Sequence, residues 1–403
     1  MRILYLTFYF EPDLCAGSFR NTALINELAR QLNTGDEIHV VTTQPNRYDS
    51  FKQTAPEYES RFGTTGCRVT INRIAVPAHT SGLIDQIRSF AAYYRIAHRL
   101  TKGKAYNLVV ASSSRLFTAF VGARLARRTT APLFLDIRDL FRETILEMFR
   151  HRPMYAQPIR LTLNPVLQAV ERYTFGYAKH INLVSEGFQP YFTSFTQASY
   201  SYCTNGIDEE FLTSPASTAC NELQPEVKTL LYAGNIGEGQ GLHKIIPQAA
   251  RQLGNNYRFI VIGDGGAKAK LEKAIAHEGL TNVEVRNPVA RKELLIEYQK
   301  TDYLFAHLND YQAFKRVLPS KLFEYGAMDK PIVAGVAGYA AHFVRQHLGN
   351  SLLFDPGDAD SLVVQLREMP YTTGIRTDFV LQFQRKTIAE MMVRHMLQTA
   401  NPV

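Results

Sequence analysis

Short apolar segments alternate with amphipathic segments along almost the whole of this 403-residue chain. In the first half, the apolar stretches "RILYLT", "EIHVVTT", "YNLVVAS", "PLFLDI" and "HINLVS" are separated by stretches with helical periodicity, such as "NTALINELARQL". Strands that are joined through helices pair in parallel, because a crossover must carry the chain back to the start of the sheet. The alternation therefore predicts an α/β fold built on doubly wound parallel sheets.

The alternation stops once and then starts again. The interruption, "TNGIDEEFLTSPASTACNELQPEV", is rich in turn formers and acidic residues, as expected of a linker. The chain is also longer than a usual single core. We therefore predict two Rossmann-like domains that face each other across a cleft. The predicted parts are residues 1–204, a linker at 205–227, residues 228–375, and a C-terminal helix at 376–403 that packs back on the first domain.

Composition narrows the class of protein. With 45% hydrophobic and 20% charged residues, the chain is typical of a soluble globular protein. No stretch approaches the roughly 20 apolar residues of a membrane span, and "MRILYLTFYF" lacks a small-residue cleavage site, so we expect a cytoplasmic location. The cysteines have neither the spacing of a zinc site nor that of a disulfide framework, and are expected to be reduced thiols: Cys15, Cys67, Cys203 and Cys220.

Positive charge is concentrated in one part of the chain. Residues 68–179 hold 18 Lys+Arg against 6 Asp+Glu, whereas the rest holds 27 against 31. Within this part, "LIDQIRSFAAYYRIAHRLTKGK" places apolar side chains in helical register beside basic ones: Ile84, Ile87, Phe90, Ala91, Tyr94 and Ala97 beside Arg88, Arg95, Arg99, Lys102 and Lys104. The pattern suits contact with anionic lipid, and equally a helix that covers a domain with a hydrated basic face. Nucleic-acid binding lacks a recognisable module.

Three glycine-containing loops follow predicted strands. Ala16, Gly17 and Ser18 directly precede a helix, so their N–H groups can point at an anion; a simple turn is the alternative. The same two interpretations apply to "GNIGEGQG" (residues 234–241) and "GDGG" (263–266). Neither loop has dinucleotide or P-loop spacing, which disfavours an NAD-dependent dehydrogenase.

The stretch "RVLPSKLFEYGAMDKPIVAG" (residues 316–335) is more specific. Pro319 favours a first helical turn there, and Ser320 can help to satisfy its free amides. Lys321 lies near the helix start, where a lysine is electrostatically unfavourable unless it binds an anion. Glu324 lies one turn further on the same face. A hydrated surface pair is the alternative, but both residues interrupt an otherwise apolar element.

Several of these motifs occur in the order of a known family. The "AGSFR" loop, "IRDLF", "NGIDEEF", "LLYAGNIGEGQGL", "IVIGDGG", "PVARKEL" and "PSKLFEYGAMDKPIVA" together resemble the family-4 retaining glycosyltransferases of GT-B architecture. The likeness covers nearly the full chain and is greatest to the bacterial branch that transfers N-acetylated, often 6-deoxy, amino sugars in O-antigen or capsule synthesis.

The resemblance implies roles for single residues. Lys321 corresponds to the lysine that binds the donor diphosphate, with amides at Gly17 opposite, and Glu324 to the carboxylate that accepts both ribose hydroxyls. Val289 corresponds to the position whose backbone reads the uracil edge. Arg138 and Asp139 fall at the positions near the sixth carbon of the sugar. The remaining donor-side residues are Ser18, Gly234, Asn235, Gly237, Gln240, Gly263, Arg316 and Ser320.

The sequence departs from the family pattern at three places. Asn235 and Gln240 stand where many relatives carry an arginine and a lysine, so Lys315 or Arg316 is a candidate source of the missing charge. Arg316 also replaces the first of two glutamates, which excludes a carboxylate there. Arg138 stands where relatives often have histidine, which indicates a different donor sugar, a contact with an acceptor phosphate, or a structural pair with Asp136 or Glu143.

The resemblance implies transfer of a sugar from a UDP-sugar donor to a glycan or polyprenyl-diphosphate-linked acceptor, at the inner face of the cytoplasmic membrane. Main-chain amides and a lysine would stabilise the leaving diphosphate, and the donor phosphate itself would take the acceptor proton. No Asp-x-Asp motif or histidine cluster is present, so we expect neither a metal nor another cofactor. A nucleotide-sugar epimerase of the same architecture and a non-catalytic nucleotide-sugar-binding scaffold are the competing interpretations.

Overall fold

The computed structural model describes residues 1–47, 53–77, 83–113, 115–150, 157–212 and 227–401. These residues form two compact units. Unit 1 contains the described residues within 1–47, 53–205 and 385–401, and unit 2 contains the described residues between 206 and 384. The boundary predicted at residue 376 is replaced by one after Gln384. Cys220 and most of the predicted linker lie outside the described residues.

Unit 1 is built on an eight-stranded sheet with the order β3-β4-β2-β1-β5-β6-β7-β8. All neighbouring strands are parallel except β3 and β4, which pair in antiparallel fashion at one edge. The strands are β1 (Arg2–Thr7), β2 (Glu37–Thr43), β3 (Tyr58–Phe62), β4 (Arg68–Ile74), β5 (Leu108–Ser113), β6 (Leu133–Ile137), β7 (His180–Leu183) and β8 (Ser199–Ser201). The central strands β5, β6 and β7 are buried along their full length, because helices cover both faces of the sheet.

The helices of unit 1 are α1 (Ala16–Gln31), α2 (Leu83–Leu100), α3 (Leu116–Thr129), α4 (Phe141–Arg150), α5 (Gln157–Phe175), α6 (Gln189–Phe192) and the C-terminal helix α15 (Arg385–Ala400). Helix α1 begins at Ala16, so Gly17 and Ser18 lie inside its first turn and not in a loop before it. Helix α15 buries Met392 and Met396 completely, which makes it part of the core of unit 1. None of the described helices is long and apolar enough to cross a membrane.

Helix α2 buries a narrower face than its sequence predicts. Phe90, Tyr93 and Ala97 are buried, whereas Tyr94 is half-buried and its hydroxyl accepts a hydrogen bond from Arg124 Nε at 3.1 Å. Ile87 remains 52% exposed. The side chain of Ile84 lies outside what the structure describes. The helix therefore covers the domain with one face and presents basic residues on the other.

Unit 2 has a six-stranded, fully parallel sheet. Its strands are β9 (Lys228–Asn235), β10 (Tyr257–Asp264), β11 (Val283–Arg286), β12 (Tyr303–His307), β13 (Ile332–Gly335) and β14 (Ser351–Phe354). The spatial order β11-β10-β9-β12-β13-β14 reverses direction between β9 and β12. Ligands of such sheets bind at this switch point, beyond the carboxyl ends of the strands. The prediction of two doubly wound α/β domains is confirmed.

The helices of unit 2 are α7 (Glu209–Leu212), α8 (Leu242–Leu253), α9 (Lys268–His277), α10 (Arg291–Lys300), α11 (Lys321–Ala327), α12 (Gly338–His347), α13 (Ala359–Glu368) and α14 (Thr377–Gln382). Apolar residues of α8, α13 and the strands form one core cluster. Its members include Ile245, Ile246, Leu362 and Phe305, none of which is exposed. This core fixes the strand ends from which the loops at the switch point project.

Candidate functional site

The two strands at the switch point of unit 2 separate toward their carboxyl ends. Strand β9 pairs with β12 only through Leu230 and Leu231, although β9 continues to Asn235. Beyond the paired part, the amide of Ala233 donates instead to the hydroxyl of Tyr325 on α11, at 3.3 Å. The Tyr325 hydroxyl thus accepts a backbone hydrogen bond that a carbonyl of the neighbouring strand would otherwise accept. The separation leaves room for side chains of α11 beside the end of β9.

Lys321, the first residue of α11, reaches this strand end. Its ammonium nitrogen lies 5.0 Å from the centre of the Tyr232 ring. The backbone of Gly234 (φ +134°) lies so close that a Cβ there would stand 2.7 Å from Lys321 Cε and nearer still to Nζ. Tyr325, one helical turn after Lys321, binds Ala233 and so fixes the helix at this height. The lysine therefore lies against the switch point.

Glu324 occupies the adjacent turn of α11 and is also held in place. The buried hydroxyl of Tyr298 on α10 donates to Glu324 Oε2 at 3.0 Å. Burial, together with this carboxylate, raises the pKa of Tyr298 well above its usual value, so the hydroxyl stays protonated. Arg291 contributes positive charge from the start of α10: burial lowers its pKa, but the carboxylates of Asp208 and Glu324 outweigh burial and raise it.

The loop after β9 is closed by amide hydrogen bonds. Gln240 Oε1 accepts from Asn235 Nδ2 at 2.9 Å and from the backbone amide of Gly237 at 3.1 Å. The backbone donor identifies the Gln240 atom as the oxygen, so the NH₂ group of Gln240 is left to donate elsewhere. The two side chains noted as a departure from the family pattern thus bind each other across the loop.

Two residues after β12 hold that loop from the other side. His307 Nδ1 lies 2.6 Å from the Gln240 carbonyl oxygen, and its Nε2 accepts from the Gly357 amide at 3.0 Å. Because Nε2 accepts, Nδ1 carries the proton and donates, and burial lowers the pKa of His307 to about 4. The amide nitrogen of Asn309 donates to the Gly239 carbonyl at 2.8 Å, and its side chain donates to the Glu238 carbonyl. These hydrogen bonds thus hold the loop between β9 and α8 from the side of β12.

Further predicted donor-side residues lie in unit 2 after its strands, whereas Ser18 lies in α1 of unit 1. Gly263 is the register partner of Gly234, whose carbonyl oxygen leaves no space for a side chain at residue 263. Val289 is half-buried between β11 and α10. Ser320 precedes α11 but makes no side-chain cap; its carbonyl accepts from Phe323 N instead, so the predicted capping role is wrong.

The two candidate replacements for the missing basic pair both lie just before α11. Lys315 Nζ lies 3.3 Å from Asp310 in an exposed pair. Arg316 ends the short 3₁₀ segment before α11.

The predicted residues of unit 1 meet at the ends of β1 and β6. The guanidinium of Arg138, directly after β6, lies against the backbone of Gly17 in the first turn of α1: a Cβ on Gly17 would stand 2.7 Å from both terminal nitrogens. Ser18 is buried next to it. Burial raises the pKa of Asp139 to about 6, and Asp139 Oδ1 accepts a hydrogen bond from Thr144 Oγ1 at 3.2 Å.

A buried ion pair that the sequence did not single out supports this region. Arg20 donates to both oxygens of Asp136, at 2.9 and 3.0 Å, and neither side chain is more than 2% exposed. Although burial raises it, Arg20 lowers the pKa of Asp136 below its usual value. Arg20 also donates to the carbonyl oxygens of Cys203 and Thr204. The ion pair therefore connects α1 and β6 to the segment that follows β8.

Five residues that position the site of unit 2 were not predicted from the sequence: Tyr232, Tyr298, His307, Asn309 and Tyr325. One signal was available. His307 ends a buried strand and Asn309 follows it, and polar residues at that place in a parallel sheet face the ligand edge. The tyrosines, one on β9 and two on helices, carry no such signal, since aromatic residues in strands and helices are typical of a core.

Known proteins resemble parts of this chain. Residues 217–370 match the family model of the glycosyl transferases group 1. A stretch of 149 residues is 30% identical to WcaI of Escherichia coli (strain K12), which is provisionally named a colanic acid biosynthesis glycosyl transferase. That stretch covers 36% of this chain and 36% of WcaI, so the chain spans about a third of the length of this relative.

Solved structures match the chain over its full length. Anabaena Alr3699/HepE in complex with UDP-glucose matches with a TM-score of 0.62 and 16% identity, covering 99% of this chain and 100% of that one. The α,α-trehalose 6-phosphate synthase of Burkholderia multivorans matches with a TM-score of 0.67 and 11% identity, covering 99% and 98%. At these identities the likeness shows the fold: α/β, with two parallel-sheet domains as in GT-B structures.

Proposed function

We propose that this protein is a retaining glycosyltransferase that uses a UDP-sugar as donor. The observation that carries the proposal is the placement of Lys321 against Gly234 at the switch point of unit 2, with Glu324 one turn away. A lysine there can stabilise the negative charge that develops on a departing diphosphate. The matching domain of the glycosyl transferases group 1, and the UDP-glucose complex of the Anabaena protein, support a nucleotide-sugar donor.

In this proposal each group has a role. Lys321 and the side-chain NH₂ group of Gln240 bind the diphosphate, Gly237 holds Gln240 in place through its amide, and Glu324 accepts the two ribose hydroxyls. The backbone at Val289 binds the uracil edge. Asn235, Gly263, Ser320 and Arg316 shape the pocket, whereas Gly17, Ser18, Arg138 and Asp139 act from unit 1. In this proposal no metal takes part, and the donor phosphate takes the proton of the acceptor hydroxyl.

The finer assignment rests on resemblance. We propose that the transferred group is an N-acetylated amino sugar, with or without a 6-deoxy carbon. The proposed acceptor is a glycan or a polyprenyl-diphosphate-linked sugar in surface polysaccharide synthesis. The relative WcaI, named for colanic acid biosynthesis, supports polysaccharide synthesis as the setting.

The acceptor chemistry favours a membrane surface on the cytoplasmic side. Arg88, Arg95 and Arg99 are exposed on α2 beside Ile87. Basic residues next to an apolar side chain suit anionic lipid. Co-sedimentation with phosphatidylglycerol vesicles should exceed that with phosphatidylcholine vesicles, and the triple change of these arginines to Gln should remove the difference. Equal sedimentation with both vesicles would leave α2 as a domain-covering helix only.

The donor assignment is tested by calorimetry and product analysis. A screen of nucleotide sugars by thermal shift identifies the donor, and mass spectrometry with lipid-linked acceptors, with and without EDTA, then detects transfer. We expect Glu324→Ala to weaken UDP binding by about 1 to 3 kcal/mol, the scale of charge-assisted hydrogen bonds. The same change should affect 2′-deoxy-UDP less, because one of the two hydroxyls is already missing. Glu272→Ala, on the exposed face of α9, is the matched control.

Each negative result of these experiments would favour a different function for this protein. UDP binding without transfer to any acceptor would favour a scaffold, and donor conversion without an acceptor would favour an epimerase. Loss of transfer in EDTA would contradict metal independence. Equal binding of UDP by wild type and Glu324→Ala would remove Glu324 from the site.

A further inference from the structure

The guanidinium of Arg138 carries a positive charge that the described protein does not neutralise. Arg138 forms no side-chain hydrogen bond or ion pair with any described residue, although it is half-buried at the end of β6. Burial lowers its pKa; Asp136 opposes this shift and Arg20 adds to it. An arginine remains protonated under such conditions, so a cation is held here at an energetic cost.

The nearest carboxylates are already occupied. Asp136 has four acceptor positions, and all are filled: two by Arg20, one by Ser112 Oγ at 3.1 Å and one by Asn182 Nδ2 at 2.9 Å. Arg20 and Asp136 cancel each other in charge, so Arg138 is the surplus cation. Asp139 accepts from Thr144 and forms no ion pair with Arg138. The structural pair with Asp136 or Glu143, considered from the sequence, is therefore absent.

Gly17 makes the position of this guanidinium possible. Any side chain at residue 17 would collide with it, because a Cβ would stand 2.7 Å from both terminal nitrogens and 3.1 Å from Cζ. Strands β1, β5 and β6 are neighbours in the sheet, and their carboxyl ends meet at one edge. The switch point of unit 1 falls between β1 and β5, so Arg138 lies beside the place where this sheet is expected to bind a ligand.

We propose that Arg138 is a specificity-determining residue that binds an oxyanion carried by the substrate, a carboxylate or a phosphate, against the first turn of α1. A planar guanidinium with several donors matches such groups in a bidentate manner. This inference rests on the proposed glycosyltransferase function, and it narrows the substrate to one with an anionic group besides the donor diphosphate. The oxyanion can come from two sources: an acidic donor sugar, or the phosphate end of a lipid-linked acceptor.

Paired ligands that differ only in the anion separate these sources. The donor arm compares UDP-glucuronate with UDP-glucose by calorimetry. The acceptor arm compares N-acetylglucosamine 1-phosphate with N-acetylglucosamine, with UDP present. Each ligand is titrated into wild type, Arg138→Gln, Arg138→Lys and the control Arg172→Gln, whose side chain is exposed on α5. The Lys variant keeps the charge but loses the planar fork.

We expect Arg138→Gln to weaken binding of the charged member of one pair by about 10- to 100-fold and to leave its neutral member within about threefold. Arg138→Lys should fall between, and Arg172→Gln should match wild type. An effect in the donor arm identifies an acidic sugar, and one in the acceptor arm identifies a phosphate. If charged and neutral ligands change equally, or neither changes, the inference is wrong. Failure of wild type to bind UDP at all would instead overturn the proposed function.

Discussion

Replacing Gly234 by alanine tests whether Lys321 must lie against the end of β9. The added Cβ would stand 2.7 Å from Lys321 Cε and closer to Nζ, whereas ordinary contacts begin at 3.4 Å. The lysine must therefore move by at least 0.7 Å measured at Cε, which displaces its ammonium from the proposed diphosphate position. Losing a charge-assisted contact of this kind costs about 1.5 to 3 kcal/mol, or roughly a 10- to 150-fold weaker UDP affinity.

The backbone contributes a separate cost that a matched variant measures. Gly234 has φ +134°, and Gly254 in the same unit has φ +60° with no atom within 4 Å of an added Cβ. Gly254 has ψ −153°, a conformation that is almost restricted to glycine, and alanine there costs about 1 to 3 kcal/mol of folding free energy. Gly254→Ala should therefore lower stability without changing UDP affinity, whereas Gly234→Ala should lower both.

A double-mutant cycle identifies the mechanism. Calorimetry of UDP binding is repeated with Gly234→Ala in a Lys321→Ala background, where the clash is gone. If the glycine acts through the lysine, its effect on UDP affinity should nearly vanish there. An unchanged UDP affinity in folded Gly234→Ala, or an equal loss in both backgrounds, would refute the reasoning.

Three further changes test other parts of the structure. Tyr298→Phe removes the hydrogen-bond donor to Glu324, so calorimetry should show UDP binding weakened by about 1 kcal/mol. The control Tyr257→Phe should leave UDP binding unchanged. Equal effects of the two variants would show that Tyr298 does not position Glu324. Asp136→Asn breaks the buried ion pair with Arg20 and should lower the free energy of unfolding of unit 1 by about 3 to 5 kcal/mol in chemical denaturation. The control Glu278→Gln, in the exposed pair with Arg251, should cost less than about 1 kcal/mol. Similar losses in both variants would contradict a structural role of the buried pair. Burial lowers the pKa of His180 from 6.5 to about 4, so the unfolded state takes up a proton first, and wild type should lose up to about 3 kcal/mol as pH falls from 6.5 to 4. His180→Gln lacks that loss, so its stability gap to wild type should narrow over this window, and a constant gap would be inconsistent with the assignment.

The parallel strands were predictable because burial on both faces makes them continuous apolar runs. β6, "LFLDI", is such a run. The edge strand β3, "YESRF", alternates between exposed and half-buried residues and carries no apolar run, so the sequence did not reveal it. The start of α1 was misplaced for a local reason: Cys15 stands at its N-cap, where serine, threonine or aspartate usually marks a helix start.

Part of the candidate site could be predicted because it depends on spacing within one helix. Lys321 and Glu324 share a face of α11 wherever that helix lies. The hydrogen bonds that fix this helix join residues far apart in the sequence. Tyr325 and Ala233 are separated by 92 positions, and Tyr298 and Glu324 by 26. No local pattern encodes such contacts, because they arise only when the sheet has formed.

Hydrogen–deuterium exchange with and without UDP tests the location of the nucleotide site most directly. The proposed site predicts that UDP slows exchange in peptides covering residues 234–241 and 319–327, and that Lys321→Ala abolishes this protection at the same UDP concentration. Protection confined to other parts of the chain, or persisting unchanged in Lys321→Ala, would contradict a diphosphate site at the end of β9.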